Sequence, residues 1–106
     1  MANVLDRIQK LVRAEEIRIS AHGYDELADD GILVRDVIAG IDSAVVVEQY
    51  PSYPKGPSVL ALQYDRKNKP IHVVWGIPKG YDSPAVVVTA YRPDPGRWSD
   101  DFRRRR

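Results

Sequence analysis

Between positions 44 and 92 the sequence alternates four β-rich runs with short loops, and this spacing leaves the chain few topologies. The runs are 44–50, 58–64, 71–78 and 85–92, dominated by Val, Ile, Leu, Ala and Tyr. The loops between them carry Pro, Gly and Lys, as in Pro54-Lys55-Gly56-Pro57 and Pro78-Lys79-Gly80. Parallel neighbours need a crossover of about a dozen residues or more. Loops this short permit hairpins only, so the runs are expected to form a four-stranded antiparallel meander.

The first half of the chain reads as helices that would cover one face of that sheet. Val4, Leu5, Ile8, Leu11 and Val12 recur at helical spacing behind Asn3, a natural N-cap. After an extended piece at 17–19, Ser20 can cap a second helix with a stripe of Ala21, Tyr24, Leu27 and Ala28, stopped by Gly31. Val34, Val37, Ile38 and Ile41 mark a third. Helices this short need something to dock against. The expected fold class is α+β, with the N-terminal helices on one face of the sheet and the second face open.

At 106 residues, with 43% hydrophobic and 29% charged residues, the chain has the make-up of one folded domain and no room for a separate cofactor domain. Residues 1–98 read as that domain and 99–106 as a basic tail. Cysteine is absent, which removes disulfides, thiolate metal sites and cysteine nucleophiles together. No run approaches the ~20 apolar residues of a membrane span, and the N-terminus does not resemble a signal peptide, so a cytoplasmic protein is expected. The net charge of +1 hides an asymmetry. Acids dominate up to residue 54 and bases beyond it, ending in Arg103-Arg104-Arg105-Arg106. That run reads either as a solvated tail or as a contact for a polyanion.

Two histidines are the most informative polar residues. Along 71–77 the bulky Ile71, Val73, Trp75 and Ile77 alternate with His72, Val74 and Gly76, so His72 is expected on the open face. There it would titrate near neutral pH and could serve as acid, base or phosphate contact. Glu48 interrupts an apolar run and must face water or a partner. Glu48, Gln63, His72 and either Tyr91 or Arg92 are expected to share a face, although one bulge would exchange the faces of a strand. A carboxylate near His72 would raise the imidazole pKa and favour a proton donor. His22 begins the second helix beside Asp25, Glu26 and Asp29; one histidine without fixed ligand spacing makes no metal site, and a hydrogen-bonded helix-terminal residue is the plainer reading. The basic loops at Lys55, Arg66-Lys67-Asn68-Lys69 and Lys79, with Arg92, Arg97 and Trp98, could form a positive rim studded with rings, the chemistry that binds single-stranded RNA.

Taken together, Ser20-Ala21-His22, Gly31-Ile32, Asp36-Val37-Ile38, Val47-Glu48-Gln49-Tyr50-Pro51, Pro57-Ser58-Val59-Leu60, Pro70-Ile71-His72-Val73-Val74, Thr89-Ala90-Tyr91-Arg92-Pro93 and Trp98 resemble the bacterial domain-of-unknown-function family 4258 over residues 17–98. That family is similar in layout to RelE-type and BrnT-type toxins, which are metal-independent ribonucleases held inactive by an antitoxin protein. The resemblance implies a RelE-like layout, RNA as substrate, an antitoxin partner and no cofactor. Carried over by position, it also implies His22, Glu48, His72, Tyr91 and Trp98 as site residues, the first four as catalytic groups; charge adds Arg92 and Arg97, which with Trp98, Lys79 and Tyr50 are the expected substrate contacts. Leu33-Val34 departs from the pattern, because a capping residue is expected before the third helix. The competing expectation is a non-catalytic module that binds RNA or a protein, with structural histidines.

Overall fold

Local signals start and stop each helix. In the computed structural model, which describes residues 3–106, Asn3 caps α1 (Val4–Arg13) through a reciprocal pair of hydrogen bonds with Asp6. Val4, Leu5, Ile8 and Val12 face the core. Ser20 Oγ accepts from the Gly23 amide at 2.9 Å and opens α2 (Ala21–Asp29). Gly31, at φ 65°, ends it in the left-handed region that favours glycine, and the Ile32 amide turns back to the Leu27 carbonyl. α3 (Val34–Ala39) follows Leu33, which offers no side-chain cap, and runs into a 3₁₀ turn, Gly40–Ser43, burying Val37 and Ile41.

The stripe expected on α2 is corrected. Leu27 is buried, whereas Ala21, Tyr24 and Ala28 are exposed. The helix instead presses its backbone against the last strand. A Cβ on Gly23 would lie 2.7 Å from the Val87 carbonyl oxygen, so contact is made where the sequence has no side chain.

The sheet has five strands, β1 (Ile17–Ile19), β2 (Val45–Tyr50), β3 (Ser58–Tyr64), β4 (Pro70–Gly76) and β5 (Ala85–Tyr91), in the order β1-β5-β4-β3-β2. The four long runs pair antiparallel, as their loops require. The expected four-stranded sheet is nevertheless incomplete. Ile17–Ile19 joins β5 in parallel, with Ile17 opposite Ala85 and Ile19 opposite Val87, making the sheet mixed. Three residues are too few to show an alternation, and their partner lies at the far end of the chain.

Helices and sheet enclose a core in which Ile8, Val37 and Ile41 meet Val59, Ala61, Ile71, Val73, Trp75, Val87 and Ala90. One polar bridge crosses it. The Trp75 indole donates to Gln63 Oε1 at 2.7 Å, and Gln63 Nε2 donates to the Val37 carbonyl at 2.8 Å. Gln63 therefore lies on the helix side of the sheet and not, as expected, beside His72. Its amide is admitted because both ends are paired. No helix among the described residues is long and apolar enough to cross a membrane.

Candidate functional site

Two bulges decide which side chains reach the face away from the helices. In β2, Val46 stands opposite Ala61 and Glu48 opposite Leu60, so Val47 is an extra residue. Regular alternation would put Val46, Glu48 and Tyr50 together; the bulge keeps Val46 against the core and turns Glu48 and Tyr50 outward. In β5, Val88 is the extra residue between Val87, opposite Trp75, and Thr89, opposite Val74. Val87 and Ala90 thus both enter the core while Thr89 and Tyr91 face the other way.

His72 occupies this outer face, as the alternation of β4 predicts, but it is 0% exposed. The residues after β5 fold back over it. Trp98 packs edge-on against the imidazole, with ring centres 4.4 Å apart, and Tyr91 flanks it at 5.3 Å. His72 Nε2 lies 2.8 Å from the Phe102 carbonyl, and Nδ1 lies 3.2 Å from the Tyr91 hydroxyl. A carbonyl only accepts, so Nε2 carries the proton and Nδ1 accepts from Tyr91.

Residues 99–106 are accordingly a docked strap, not a solvated tail. Trp98 pairs with Arg105 in an isolated antiparallel bridge, and the Arg106 amide donates to the Arg97 carbonyl. Arg105 lays its guanidinium 4.7 Å over the Trp98 ring and reaches Glu48 with two hydrogen bonds, of 2.8 and 3.0 Å. The Tyr50 hydroxyl donates to the same carboxylate. Nothing in the run of four arginines distinguishes Arg105 beforehand; Phe102, an aromatic among charges, was the available sign that the segment docks.

These contacts set the titration of the cluster. Arg105 and then Tyr50 hold Glu48 down at about 2. Burial, with Glu48 second, pushes Tyr50 up to about 12. Burial likewise raises Tyr91. For His72 the expected upward shift is reversed. Burial is the largest influence and lowers the imidazole pKa, outweighing the Phe102 carbonyl and the distant pull of Glu48, which spends its carboxylate on Arg105 and Tyr50. His72 is a neutral acceptor near pH 7, not a charged donor.

The other candidate residues divide between two hollows on this face. A hollow of about 400 Å³ is lined by Tyr91, Arg92, Asp94, Arg97, Trp98 and Arg105. Arg97 is largely exposed there, in a loose pair with Asp94 at 3.9 Å. Arg92 is committed elsewhere: it pairs with Asp65 at 2.9 Å while its amide donates to Asp30, pinning the end of β5 to the β3–β4 turn. Trp98 is buried and cannot act as an open stacking platform. The second hollow, a groove of about 650 Å³ toward the opposite end of the sheet, takes Tyr50 and His22. His22 is separated from the His72 cluster and sits 3.5 Å from Glu26. Lys79 is an exposed loop residue whose amide bonds to the Lys55 carbonyl. The expected continuous positive rim is therefore split between the two ends of the sheet. Among the described residues, no three His, Asp or Glu side chains are grouped to hold a metal ion.

The family model for a domain of unknown function, DUF4258, matches residues 19–92. The chain belongs to DUF4258. No curated protein and no solved structure matches it. The DUF4258 match contains Glu48, Tyr50, His72 and Tyr91 but ends before Trp98, Phe102 and Arg105. The strap that covers His72 thus lies beyond the part of the chain that defines its membership of DUF4258.

Proposed function

We propose that this protein is a toxin-like, metal-independent endoribonuclease, acting on RNA and held in check by an antitoxin protein. The observation that carries the reading is the chain Phe102 carbonyl, His72 imidazole, Tyr91 hydroxyl, opening on a hollow that holds the guanidinium groups of Arg97 and Arg105. The carbonyl fixes the proton on Nε2 and leaves the Nδ1 lone pair facing Tyr91. Tyr91 Oη would take the proton of an RNA 2′-hydroxyl as its own proton passes to His72 Nδ1. The 2′ oxygen then attacks phosphorus, a cyclic phosphate closes, and the 5′ oxygen leaves with a proton from solvent. Arg97 would offset the charge gathering on the phosphoryl oxygens, while Arg105, bonded to Glu48, lines the hollow beside it. Burial keeps the imidazole neutral near pH 7, so the Nδ1 lone pair is available to accept.

The test compares wild type with Tyr91→Phe, which keeps the ring, on unstructured RNA. Wild type should release fragments ending in cyclic phosphate, RNA with 2′-deoxy sugars should resist, and a chelator should change nothing. Tyr91→Phe should lose roughly 100-fold or more of the rate, the usual contribution of a positioned proton-transfer group. Intact RNA with wild type, or equal rates for the two proteins, would refute the reading.

One observation favours a second reading: His72 has no exposed surface. A sealed imidazole with both nitrogens bonded also suits a non-catalytic module whose outer sheet face binds RNA or a protein. Wild type would then bind RNA and leave it whole.

A further inference from the structure

The groove of about 650 Å³ toward the other end of the outer sheet face plays no part in the proton transfer proposed above. Its size is within the roughly 300–1,000 Å³ of small-ligand pockets. Val74, Val86 and Val88 give it an apolar floor, and the β5 bulge is what exposes Val88. Gly76 leaves that floor flat. Tyr50 and Tyr53 form an aromatic wall, brought together by the turn in which the Tyr53 amide donates to the Tyr50 carbonyl. Tyr53 is 51% exposed. Arg18, Lys55 and His22 are among the other lining residues, none of which is a carboxylate, although Glu26 lies 3.5 Å from His22.

A flat apolar floor, an exposed phenol ring and a rim carrying Arg18 and Lys55 match an unpaired nucleobase carrying a phosphate better than they match a basic or wholly apolar segment. The groove lies on the same sheet face as the proposed site. Tyr50 lines it while bonding Glu48, and Val74 and Thr89 each lie two residues, roughly 7 Å of strand, from His72 and Tyr91.

We infer that this groove is a base-binding subsite for single-stranded RNA, in which a base near the reacting phosphate stacks on Tyr53 while Arg18 and Lys55 hold the adjoining backbone. This rests on the RNA reading above and deepens it by naming the form of the substrate. Duplex RNA, whose bases are stacked and paired, could not enter.

The test measures binding of a short labelled single-stranded RNA, and of the same sequence as a duplex, to the full chain by fluorescence anisotropy across a salt series. The variants are Tyr53→Ala and Arg18→Ala/Lys55→Ala, all exposed positions outside the reacting cluster, with circular dichroism to confirm folding. Wild type should prefer the single strand. Tyr53→Ala should weaken it about 5- to 100-fold, the range of base–aromatic stacking. The double variant should flatten the slope of log affinity against log salt by about one to two. Cleavage or tight binding of RNA that is indifferent to Tyr53 and to strandedness would overturn the subsite while leaving the ribonuclease reading intact, and would return the groove to a protein partner. Absence of any RNA binding would overturn both.

Discussion

Replacing Arg105 by Ala tests whether the strap is held by charge. The substitution takes two hydrogen bonds from Glu48 and a guanidinium from the face of Trp98. A fall in the Glu48 pKa from 4.5 to about 2 sets a ceiling of roughly 3 kcal/mol at about 1.4 kcal/mol per pH unit. Two facts reduce it. Tyr50 supplies part of the effect and stays in place, and the Arg105 side chain is 63% exposed, so solvent screens the pair. We expect a loss of about 1–2 kcal/mol at pH 7, taking the bidentate geometry to lift the pair above an ordinary surface bridge. The folded-state pKa of Glu48 is depressed, so this stabilisation is complete above pH 4.5 and drains away as pH falls toward 2. Urea titrations of both proteins at pH 7, 5, 4 and 2.5 should show curves that differ at pH 7 and converge in acid. A difference below about 0.3 kcal/mol at pH 7 would place the pair among surface bridges of no consequence. An equal difference at every pH would show that Arg105 acts through packing on Trp98 and not through Glu48.

Removing residues 102–106 should free His72 to water and return its pKa upward toward the ordinary value, read from the imidazole proton shifts by NMR. The same truncation should cost about 2 kcal/mol, or roughly 8–15 °C in melting temperature, without unfolding the sheet. Gln63→Ala leaves the Trp75 indole and the Val37 carbonyl unpaired in the core, and should cost about 2–4 kcal/mol in urea denaturation. Gly23→Ala, whose methyl would meet the Val87 carbonyl at 2.7 Å, should lose about 1–3 kcal/mol by the same measurement; an unchanged midpoint would show that α2 can retreat from β5.

What the sequence made legible follows the range of its signals. Period-two alternation and short loops are local, and they specify the β2–β5 meander and the side of β4 on which His72 lies. The caps at Asn3 and Ser20 and the stop at Gly31 are local too. The β2 bulge is not: Val45, Val46 and Val47 are alike in chemistry, so no residue type marks the position at which Glu48 and Tyr50 turn outward. Gln63 misleads for the same reason, since a polar residue in a strand is assigned to solvent unless its distant partners, here Trp75 and the Val37 carbonyl, are known. The parallel pairing of β1 with β5 joins segments separated by most of the chain.

The direction of the His72 pKa shows how one non-local contact alters the chemistry read from composition. Alternation places the imidazole on the outer face, the β2 bulge turns Glu48 to the same face, and those two facts alone favour a charged, proton-donating histidine. The strap adds a lid and a carbonyl. The lid removes water, which penalises the charged form, and the arginine it carries takes the carboxylate that would have stabilised it. The carbonyl holds one nitrogen as a donor and commits the other to accept from Tyr91. Folded-state protonation of His72 must therefore await acid. Since its folded pKa lies below the unfolded value, the stability it contributes is complete above about pH 6.5 and declines as pH drops through the folded value. Glu48 loses its own contribution lower still, below pH 4.5. Acid should act on the strap in two stages, first at His72 and then at Glu48. A single transition in the Trp98 environment, centred near the ordinary carboxylate range and unaffected by substituting His72 with Gln, would refute that order.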